Sequence, residues 1–166
     1  MRISTRRDGA ETKKKILRAC VRLFLEQGYR QTTISKIVEQ AGVARGSFQN
    51  LFPTKDAVLM ELLRAMFDGQ FGVARRVADR GLPPVYAYAV ETALQLTLTE
   101  LNENLREIYL EAYRLPDTAE YIYRHTMVEL KQIFGTNFPG VSERDFYEME
   151  IGMAGLMCSY MAKKCD

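Results

Sequence analysis

The sequence lacks the features by which membrane-spanning and secreted proteins are recognised. No apolar run approaches the roughly 20 residues that a membrane-spanning helix needs, and the N-terminus, MRISTRRDG, has no apolar core of a signal peptide. The three cysteines, Cys20, Cys158 and Cys165, are odd in number and widely separated. This usage favours reduced thiols over a disulfide framework, and we therefore expect a cytoplasmic protein.

The sequence also contains little from which a catalytic centre could be built. His125 is the only histidine, and no second metal ligand lies near it in the sequence. Glycine-rich phosphate loops, nucleophile elbows and zinc-type cysteine spacings are absent, and no pair of carboxylates stands out. We expect no enzymatic activity, no cofactor and no metal site, and an enzyme built on helices is kept only as the third alternative below.

The pattern of apolar residues predicts an all-α protein. Hydrophobic residues make up 47% of the chain, which is typical of an ordered globular protein, and no stretch alternates in the manner of a β-strand. Capping residues and breaks predict the bounds of the helices. The first is opened by a capping box of Asp8 and Glu11 and closed by Gly28, the second is capped by Thr32 or Thr33, the third covers Arg45–Leu51, and the fourth extends from Thr54 to about Arg80. The fifth covers roughly residues 84–101, a short helix then ends near Leu115, the next covers residues 117–134 with Asp117 as its cap, and the last is capped by Ser142 with Asp145 and continues to the chain end.

Residues 32–55, TTISKIVEQAGVARGSFQNLFPTK, predict two short helices joined by a tight turn. Apolar residues recur at helical spacing before Gly42, which supplies the positive φ with which many helices end. Phe52-Pro53 ends the second helix, because a residue that precedes proline avoids the helical region. This spacing is typical of a helix-turn-helix, in which the second helix is presented to the major groove of DNA.

Charge is distributed unevenly along the chain. Residues 1–55 carry 12 Lys and Arg against 4 Asp and Glu, a net of +8, whereas residues 56–166 carry 11 against 17, a net of −6. A basic N-terminal third is expected of a surface that binds a polyanion such as DNA. The alternative is a chance unevenness on solvated faces, although a purely structural helix-turn-helix would have no reason to carry this charge.

Many positions of the N-terminal third, from Ala10 to about Leu63, agree at fixed spacing with one known pattern. They are Phe24, Gly28-Tyr29, Thr33-Ile34, Ile37, Ala41-Gly42-Val43, Gly46-Ser47-Phe48 and Phe52-Pro53-Thr54-Lys55-Asp56. In these positions the chain resembles the DNA-binding domain of the TetR family of bacterial transcriptional regulators, and it departs from the family at Gln49, where Tyr is usual, and at Leu51, where His is frequent. The resemblance implies a DNA-binding domain, which we place at residues 1–53, and a helical domain at residues 54–166 that dimerises and binds a small molecule.

A helix-turn-helix at this place predicts which side chains contact operator DNA. In the second helix, an arginine can donate to guanine, and glutamine or asparagine can pair with adenine. Residues at helix starts and basic side chains beside them are expected to hold phosphates. We expect major-groove contacts from Arg45, Gly46, Ser47, Gln49 and Asn50, and phosphate contacts from Thr33, Lys55 and an N-terminal arm with Arg6 and Arg7, which could equally be a disordered tail.

Residues 56–166 are rich in methionine and aromatic side chains, which suit a pocket for an apolar or aromatic ligand. Ordinary core packing is the alternative for each of them. The leading function is a dimeric repressor that an unknown small molecule releases from its operator. The second is an all-helical interaction or small-molecule-binding module with a purely structural helix-turn-helix, and the third is an enzyme. We expect the pocket to be lined by Phe67, Tyr86, Tyr109, Tyr113, Met127 and Met157.

The last predicted helix is apolar on most of its sides, from Phe146 to Met161. Such a helix must be covered on most sides, and two glycines within it would let a second backbone approach closely. We therefore predict a homodimer interface at Gly152, Gly155 and Tyr160, and the alternative is a central core helix. The chain ends inside this pattern without a capping signal, from which we expect a shortened C-terminus.

Overall fold

The computed structural model describes residues 3–78 and 81–163, and all regular structure within these ranges is helical. This confirms the predicted all-α fold class. No helix in these ranges is long and apolar enough to span a membrane. The eight helices are α1 (Ile3–Gln27), α2 (Ile34–Ala41), α3 (Arg45–Leu51), α4 (Lys55–Ala78), α5 (Val85–Leu101), α6 (Glu103–Arg114), α7 (Pro116–Phe134) and α8 (Glu143–Lys163).

Local sequence signals set the bounds of α2 and α3, as predicted. Thr33 caps α2, since its hydroxyl accepts the N–H of Lys36 at 3.3 Å. Gly42 follows α2 with a φ of 61°, a conformation that a residue with a side chain rarely adopts. The last helical residue of α3 is Leu51, and Phe52 has an extended backbone ahead of the proline.

Two predicted caps are wrong. The described part of α1 begins at Ile3 rather than near Asp8, because no proline or glycine interrupts the chain between them, and Asp8 is an interior helical residue whose carbonyl accepts from the Thr12 hydroxyl. The cap of α7 is Leu115 rather than Asp117. Pro116 begins this helix one residue early, because its fixed φ already matches the first helical position.

The start predicted for the fourth helix at Thr54 and the cap predicted for the last helix are confirmed, and Asn102 forms a further cap. The Thr54 hydroxyl accepts the N–H of Ala57 at 3.1 Å at the start of α4. Asn102 separates α5 from α6, and its side chain accepts the N–H of Leu105 at 2.8 Å. At the start of α8, the Asp145 carboxylate accepts the N–H of Ser142 at 2.8 Å. The fourth helix is described only to Ala78, so its predicted end near Arg80 lies outside the described residues.

One continuous apolar core joins the N-terminal helices to the rest of the chain. Phe24, Ile37 and Phe48 from α1–α3 are buried in the same cluster as Leu59 of α4 and Tyr109 of α6. α1 packs against α2, α3, α4 and α6, α4 packs along α5, and α7 packs along α8. The division into two domains between residues 53 and 54 therefore stays a prediction.

α8 is covered on one side only. Phe146, Glu150, Ala154 and Met161 form its buried side. Its other side carries exposed apolar residues, of which Leu156 is the most accessible at 75%. An apolar helix with such a face is expected to meet another surface.

Candidate DNA-binding surface and effector site

One side of α3 packs against the apolar core, and its other side is exposed to solvent. Phe48 is completely buried and contacts the ring of Phe52, with ring centroids 6.0 Å apart. Arg45, Gln49 and Asn50 are exposed on the other side of the helix. The buried ring fixes the position of α3 on the core, and its polar face is therefore displayed in a defined orientation.

Every side chain predicted to enter the major groove lies on this exposed surface. Gly46 is exposed and Ser47 is half-buried beside it. Arg45 forms no salt bridge within the described residues, so its guanidinium donors are available to a base or a phosphate. We call the surface formed by Arg45, Gly46, Ser47, Gln49 and Asn50 the α3 surface.

The predicted phosphate contacts have different surroundings. Thr33 is exposed, and its hydroxyl hydrogen can donate to an anion while its oxygen caps α2. Lys36, in the first turn of α2, donates to Gln27 Oε1 at 2.8 Å and to the carbonyl of Gln31 at 3.1 Å. The side chains of Arg6 and Arg7 lie outside the described residues.

Lys55 has a structural role that the sequence did not reveal. Its ammonium donates to the carbonyls of Tyr29 and Thr32 at 2.7 and 2.9 Å and lies 3.9 Å from the centre of the Tyr29 ring. The Tyr29 hydroxyl in turn donates to Asp56. Burial of the ammonium lowers the pKa of Lys55. These contacts fasten the turn between α1 and α2 to the start of α4, and one ammonium N–H remains for a phosphate.

Replacing Lys55 by Met is expected to lower the free energy of unfolding by about 1–3 kcal/mol, because two carbonyls lose a charged donor while the alkyl stem is kept. Urea denaturation measures this loss, and Lys15→Met, at an exposed position of α1, is the matched control. Unchanged stability, together with a salt slope of DNA binding that shrinks by about one unit, would instead make Lys55 a phosphate contact only.

A polar joint connects α6 to the end of α1. The backbone N–H of Arg30 donates to Glu107 Oε1 at 2.7 Å, and the Arg30 guanidinium forms a salt bridge with the largely buried Glu111. Asn104 Nδ2 donates to the carbonyl of Leu25 at 2.8 Å. Gly28 leaves room for this contact, since a Cβ added there would lie 2.6 Å from Glu107 Oε2. These contacts could not be predicted from the sequence, in which their only sign is a pair of acidic residues four positions apart on α6.

The residues predicted to line a ligand pocket do not all lie together. Phe67 and Tyr109 are buried core residues whose ring centroids lie 6.4 Å apart, and the Tyr109 hydroxyl accepts from Gln70. Phe67, Tyr113 and Met157 line one small cavity. Tyr86 is 49% exposed and Met127 is half-buried, and neither lines this cavity or the larger groove beside it. Their assignment to a pocket stays a prediction.

The small cavity has an acidic lining. It has a volume of about 20 Å³ and lies among α4–α8, where it has room for about one water molecule. Glu91 of α5 and Glu150 of α8 border it, and each is only 4% exposed. Burial raises the pKa of Glu91 to about 7; burial, together with the nearby Glu91 carboxyl, raises that of Glu150 to about 8. We call this space the acidic cavity.

A larger groove lies beside the acidic cavity. It has a volume of about 530 Å³, and its lining is almost entirely apolar. Tyr88 and Met153 line both the groove and the acidic cavity, and the Tyr88 hydroxyl donates to Met153 Sδ at 3.0 Å. We call it the apolar groove; its walls come from α5, α7, the loop at residues 135–141 and α8, and include Phe134, Phe138, Phe146, Gly152 and Leu156.

The residues predicted to form a dimer interface are exposed. Gly152 and Gly155 have no atom within 4 Å of an added Cβ, and Tyr160 is 49% exposed. Gly155 lines a shallow surface depression next to Arg30 and Tyr113. The surface of α8 is thus open to a second backbone, as the small residues predicted, and the identity of what covers it stays a prediction.

Known proteins match the region that contains α2 and α3. Residues 16–62 match the family model described as bacterial regulatory proteins, tetR family. This region of the chain belongs to the TetR family. This family is a class of regulators rather than a class of enzymes.

Curated relatives share this N-terminal region. The chain is 30% identical to the uncharacterized HTH-type transcriptional regulator YuxN of Bacillus subtilis over 97 residues, which are 58% of this chain and 31% of that protein. It is 35% identical to the HTH-type transcriptional repressor KstR2 of Rhodococcus jostii over 68 residues, which are 41% of this chain and 33% of that protein. The matched part of the chain thus spans about a third of the length of each of these two relatives.

Two solved structures share the fold over most of the chain. Thermus thermophilus FadR, a TetR family transcriptional repressor in complex with lauroyl-CoA, has a TM-score of 0.69 at 21% identity, with 90% of this chain and 80% of that chain covered. Bacillus subtilis FadR in complex with stearoyl-CoA has a TM-score of 0.68 at 21% identity, with 91% and 87% covered. At this identity the likeness establishes the fold.

Proposed function

We propose that this TetR protein is a DNA-binding transcriptional regulator that represses by occupying an operator. The observation that carries the proposal is the α3 surface: Arg45, Gln49 and Asn50 are exposed on a helix whose opposite side is anchored by the buried Phe48. The net charge of +8 on residues 1–55 supports a polyanionic partner. The relative KstR2 is named a repressor, and the proposed function places the chain in the bacterial cytoplasm, where DNA lies.

In this proposal, α3 lies in the major groove. Arg45 donates to the O6 and N7 atoms of a guanine, and Gln49 or Asn50 pairs with an adenine. Thr33 and the remaining N–H of Lys55 hold phosphates on either side of the groove, and Arg6 and Arg7 hold a neighbouring phosphate or groove. Phosphate contacts fix the register, while the base contacts distinguish one sequence from another.

We propose that the regulator acts as a homodimer, because a single seven-residue recognition helix reads too few base pairs for a useful specificity. Two α3 surfaces on one side of DNA would be separated by about 34–36 Å or a multiple of it. The exposed apolar side of α8, with Leu156 and Tyr160, supports this helix as the seam. Gly152 and Gly155 would lie where the two backbones are closest. Gly152 and Leu156 also line the apolar groove, so the second chain would close the open side of that groove.

Gly155→Glu is expected to convert the dimer into a folded monomer. The added side chain has free space in the single chain, but it would bring a charge into an apolar seam. Sedimentation velocity measures the change in mass, and circular dichroism checks the helical content. The control is Gln132→Glu, which adds the same charge at an exposed position of α7 and outside the proposed seam. If the wild-type chain is itself monomeric at high concentration, or if both variants remain dimeric, the seam at Gly155 is wrong.

We further propose that a small apolar ligand releases the DNA. The apolar groove has the volume and lining expected of such a site, and the FadR structures that share the fold hold acyl-CoA molecules. α6 is a direct route from this region to the DNA-binding end: Tyr113 lines the acidic cavity beside the groove, and Glu111 on the same helix holds Arg30. A ligand that shifts α6 would shift the end of α1 and, with it, the spacing of the two α3 surfaces.

Such a switch requires the ligand to bind the DNA-free arrangement more tightly, since equal affinity for both arrangements changes nothing. By reciprocity, operator DNA would weaken ligand binding by the same factor, usually about 1–3 kcal/mol. The test is a titration of the duplex from upstream of the chain's own gene, and of a shuffled duplex, by fluorescence anisotropy with and without lauroyl-CoA. Preference for the upstream duplex supports the regulator, and its loss on adding lauroyl-CoA supports the switch. Equal affinity for both duplexes would favour a helical binding module with a structural helix-turn-helix.

A further inference from the structure

The acidic cavity contains two carboxyl groups without a countercharge. Glu91 and Glu150 come from different helices and are both buried, and neither forms a hydrogen bond or ion pair within the described residues. A buried carboxylate is stable only when a cation or several donors neutralise it. None of the described residues that line the cavity supplies such a cation.

Polar atoms around the same cavity also lack partners. Gln95 is 3% exposed, and its Nε2 lies near the Tyr113 hydroxyl without forming a hydrogen bond of normal geometry. The buried Thr92 hydroxyl lies near that of Tyr88 and likewise forms none. Because buried polar atoms are nearly always paired, these atoms indicate that the cavity is completed by one small polar group that hydrogen-bonds to its lining.

Among the described residues, no basic side chain lines the cavity. α4 contributes the apolar Phe67 and α7 the neutral Thr126, while α6 contributes the hydroxyl group of Tyr113. The Tyr113 hydroxyl stays neutral because burial raises its pKa well above the ordinary value. Among the described residues that line the cavity, the two carboxyls are therefore the only groups that can gain a charge between pH 6 and pH 8.

The acidic cavity and the apolar groove share a wall. Tyr88 and Met153 line both spaces, and a change of rotamer of either side chain would join them. A molecule that filled both would have a small polar head on the acidic side and a long apolar body on the other. Because the groups of the acidic cavity that can ionise between pH 6 and pH 8 are both carboxyls, the head that the cavity favours is cationic.

We propose that the acidic cavity binds the ammonium group of an amphipathic amine whose apolar body lies in the apolar groove. A primary ammonium has three N–H donors, which suit the acceptors of Glu91, Glu150 and the Thr92 hydroxyl. Gln95 would turn its amide over, so that its oxygen rather than its Nε2 faces the ammonium. The cavity volume suits a group about the size of a water molecule. This goes beyond the proposed function, because it names a ligand class that the acyl-CoA complexes do not suggest. It excludes a carboxylate head from this cavity, since each cavity carboxyl that loses its proton would repel it.

Binding of an ammonium would also displace protons. Near neutral pH the two carboxyls retain protons because burial raises the pKa of both, and a cation between them would lower both values. Affinity for the amine is therefore expected to rise between pH 6 and pH 8. Tyr88 and Cys158, which lie near the pair, stay neutral over this range because burial raises the pKa of each.

The test compares octylammonium chloride, 1-octanol and sodium octanoate, which share one apolar chain, by calorimetry on the DNA-free full chain at pH 8. Octylammonium is expected to bind at least about tenfold more tightly than octanol, which corresponds to one added charge-assisted contact, and octanoate is expected to bind most weakly. The double variant Glu91→Gln and Glu150→Gln should bind octylammonium and octanol equally. Glu148→Gln, an exposed position on the same helix, should keep the wild-type preference.

Several outcomes would overturn the proposal. Tighter binding of octanoate or octanol than of octylammonium would do so on the wild-type chain alone, whether or not the double variant folds. An octylammonium preference that survives in a folded double variant would place the cation elsewhere. Because no DNA is present, a preference that follows the carboxyls supports the site even if the chain binds no operator, and intact operator binding without the preference would remove only the site.

Discussion

Arg45→Ala is expected to weaken binding to the specific operator by about 2–6 kcal/mol and to relax its sequence preference. Each arginine that contacts a guanine contributes roughly 1–3 kcal/mol of discrimination, and a homodimer loses two such contacts. The fold should be unaffected, because Arg45 is exposed and has no salt bridge among the described residues. The effect should therefore appear entirely in DNA binding.

Fluorescence anisotropy with operator and shuffled duplexes at one fixed salt concentration measures this loss. Arg18→Ala is the matched control, since it removes the same charge from an exposed position of α1. The control should weaken both duplexes slightly and equally, because a loss of positive charge alone acts on all sequences. An equal loss on both duplexes for Arg45→Ala as well would show that Arg45 contacts a phosphate and not a base.

The parts of the fold that depend on neighbouring residues could be predicted from the sequence. The Thr33 cap, the left-handed Gly42 and the break at Phe52-Pro53 each act within a few residues, and they set the bounds of α2 and α3. The exposure of the α3 surface followed from the position of Phe48 on the helix. These are local properties, and a periodic pattern is sufficient to specify them.

The contacts between distant segments could not be predicted. Lys55 was expected to face DNA, but its ammonium donates to two carbonyls more than twenty residues away in sequence. Glu91 and Glu150 lie on separate helices, and only the packing of α5 near α8 brings them to one cavity. Tyr86 carries the same side chain as Tyr113, yet only the latter is turned inward. Burial of a particular side chain depends on tertiary packing, which residue type and spacing do not determine.

The acidic cavity should make stability depend on pH in the direction opposite to that of an ordinary salt-bridged carboxylate. In the folded state, burial raises the pKa of Glu91 from about 4.5 to about 7; burial and the neighbouring Glu91 raise that of Glu150 from about 4.5 to about 8. The folded protein therefore holds protons that the unfolded chain has already released above pH 4.5. The contribution of these two carboxyls to the free energy of unfolding is therefore greatest at low pH, falls as pH rises from about 5 to 8, and is constant above both folded-state pKa values.

Glu150→Gln is expected to raise the free energy of unfolding by about 2–4 kcal/mol at pH 8.5 and to change it little at pH 5, because each unit of pKa shift corresponds to about 1.4 kcal/mol. Urea denaturation at half-unit steps between these limits should give a falling curve for the wild type and a flatter one for the variant. Groups that titrate elsewhere in the chain cancel in this difference, and Glu148→Gln should reproduce the wild-type curve. A wild-type stability that rises with pH over this range, in parallel with that of Glu150→Gln, would mean that the cavity carboxyl is already neutralised by a partner in the folded protein.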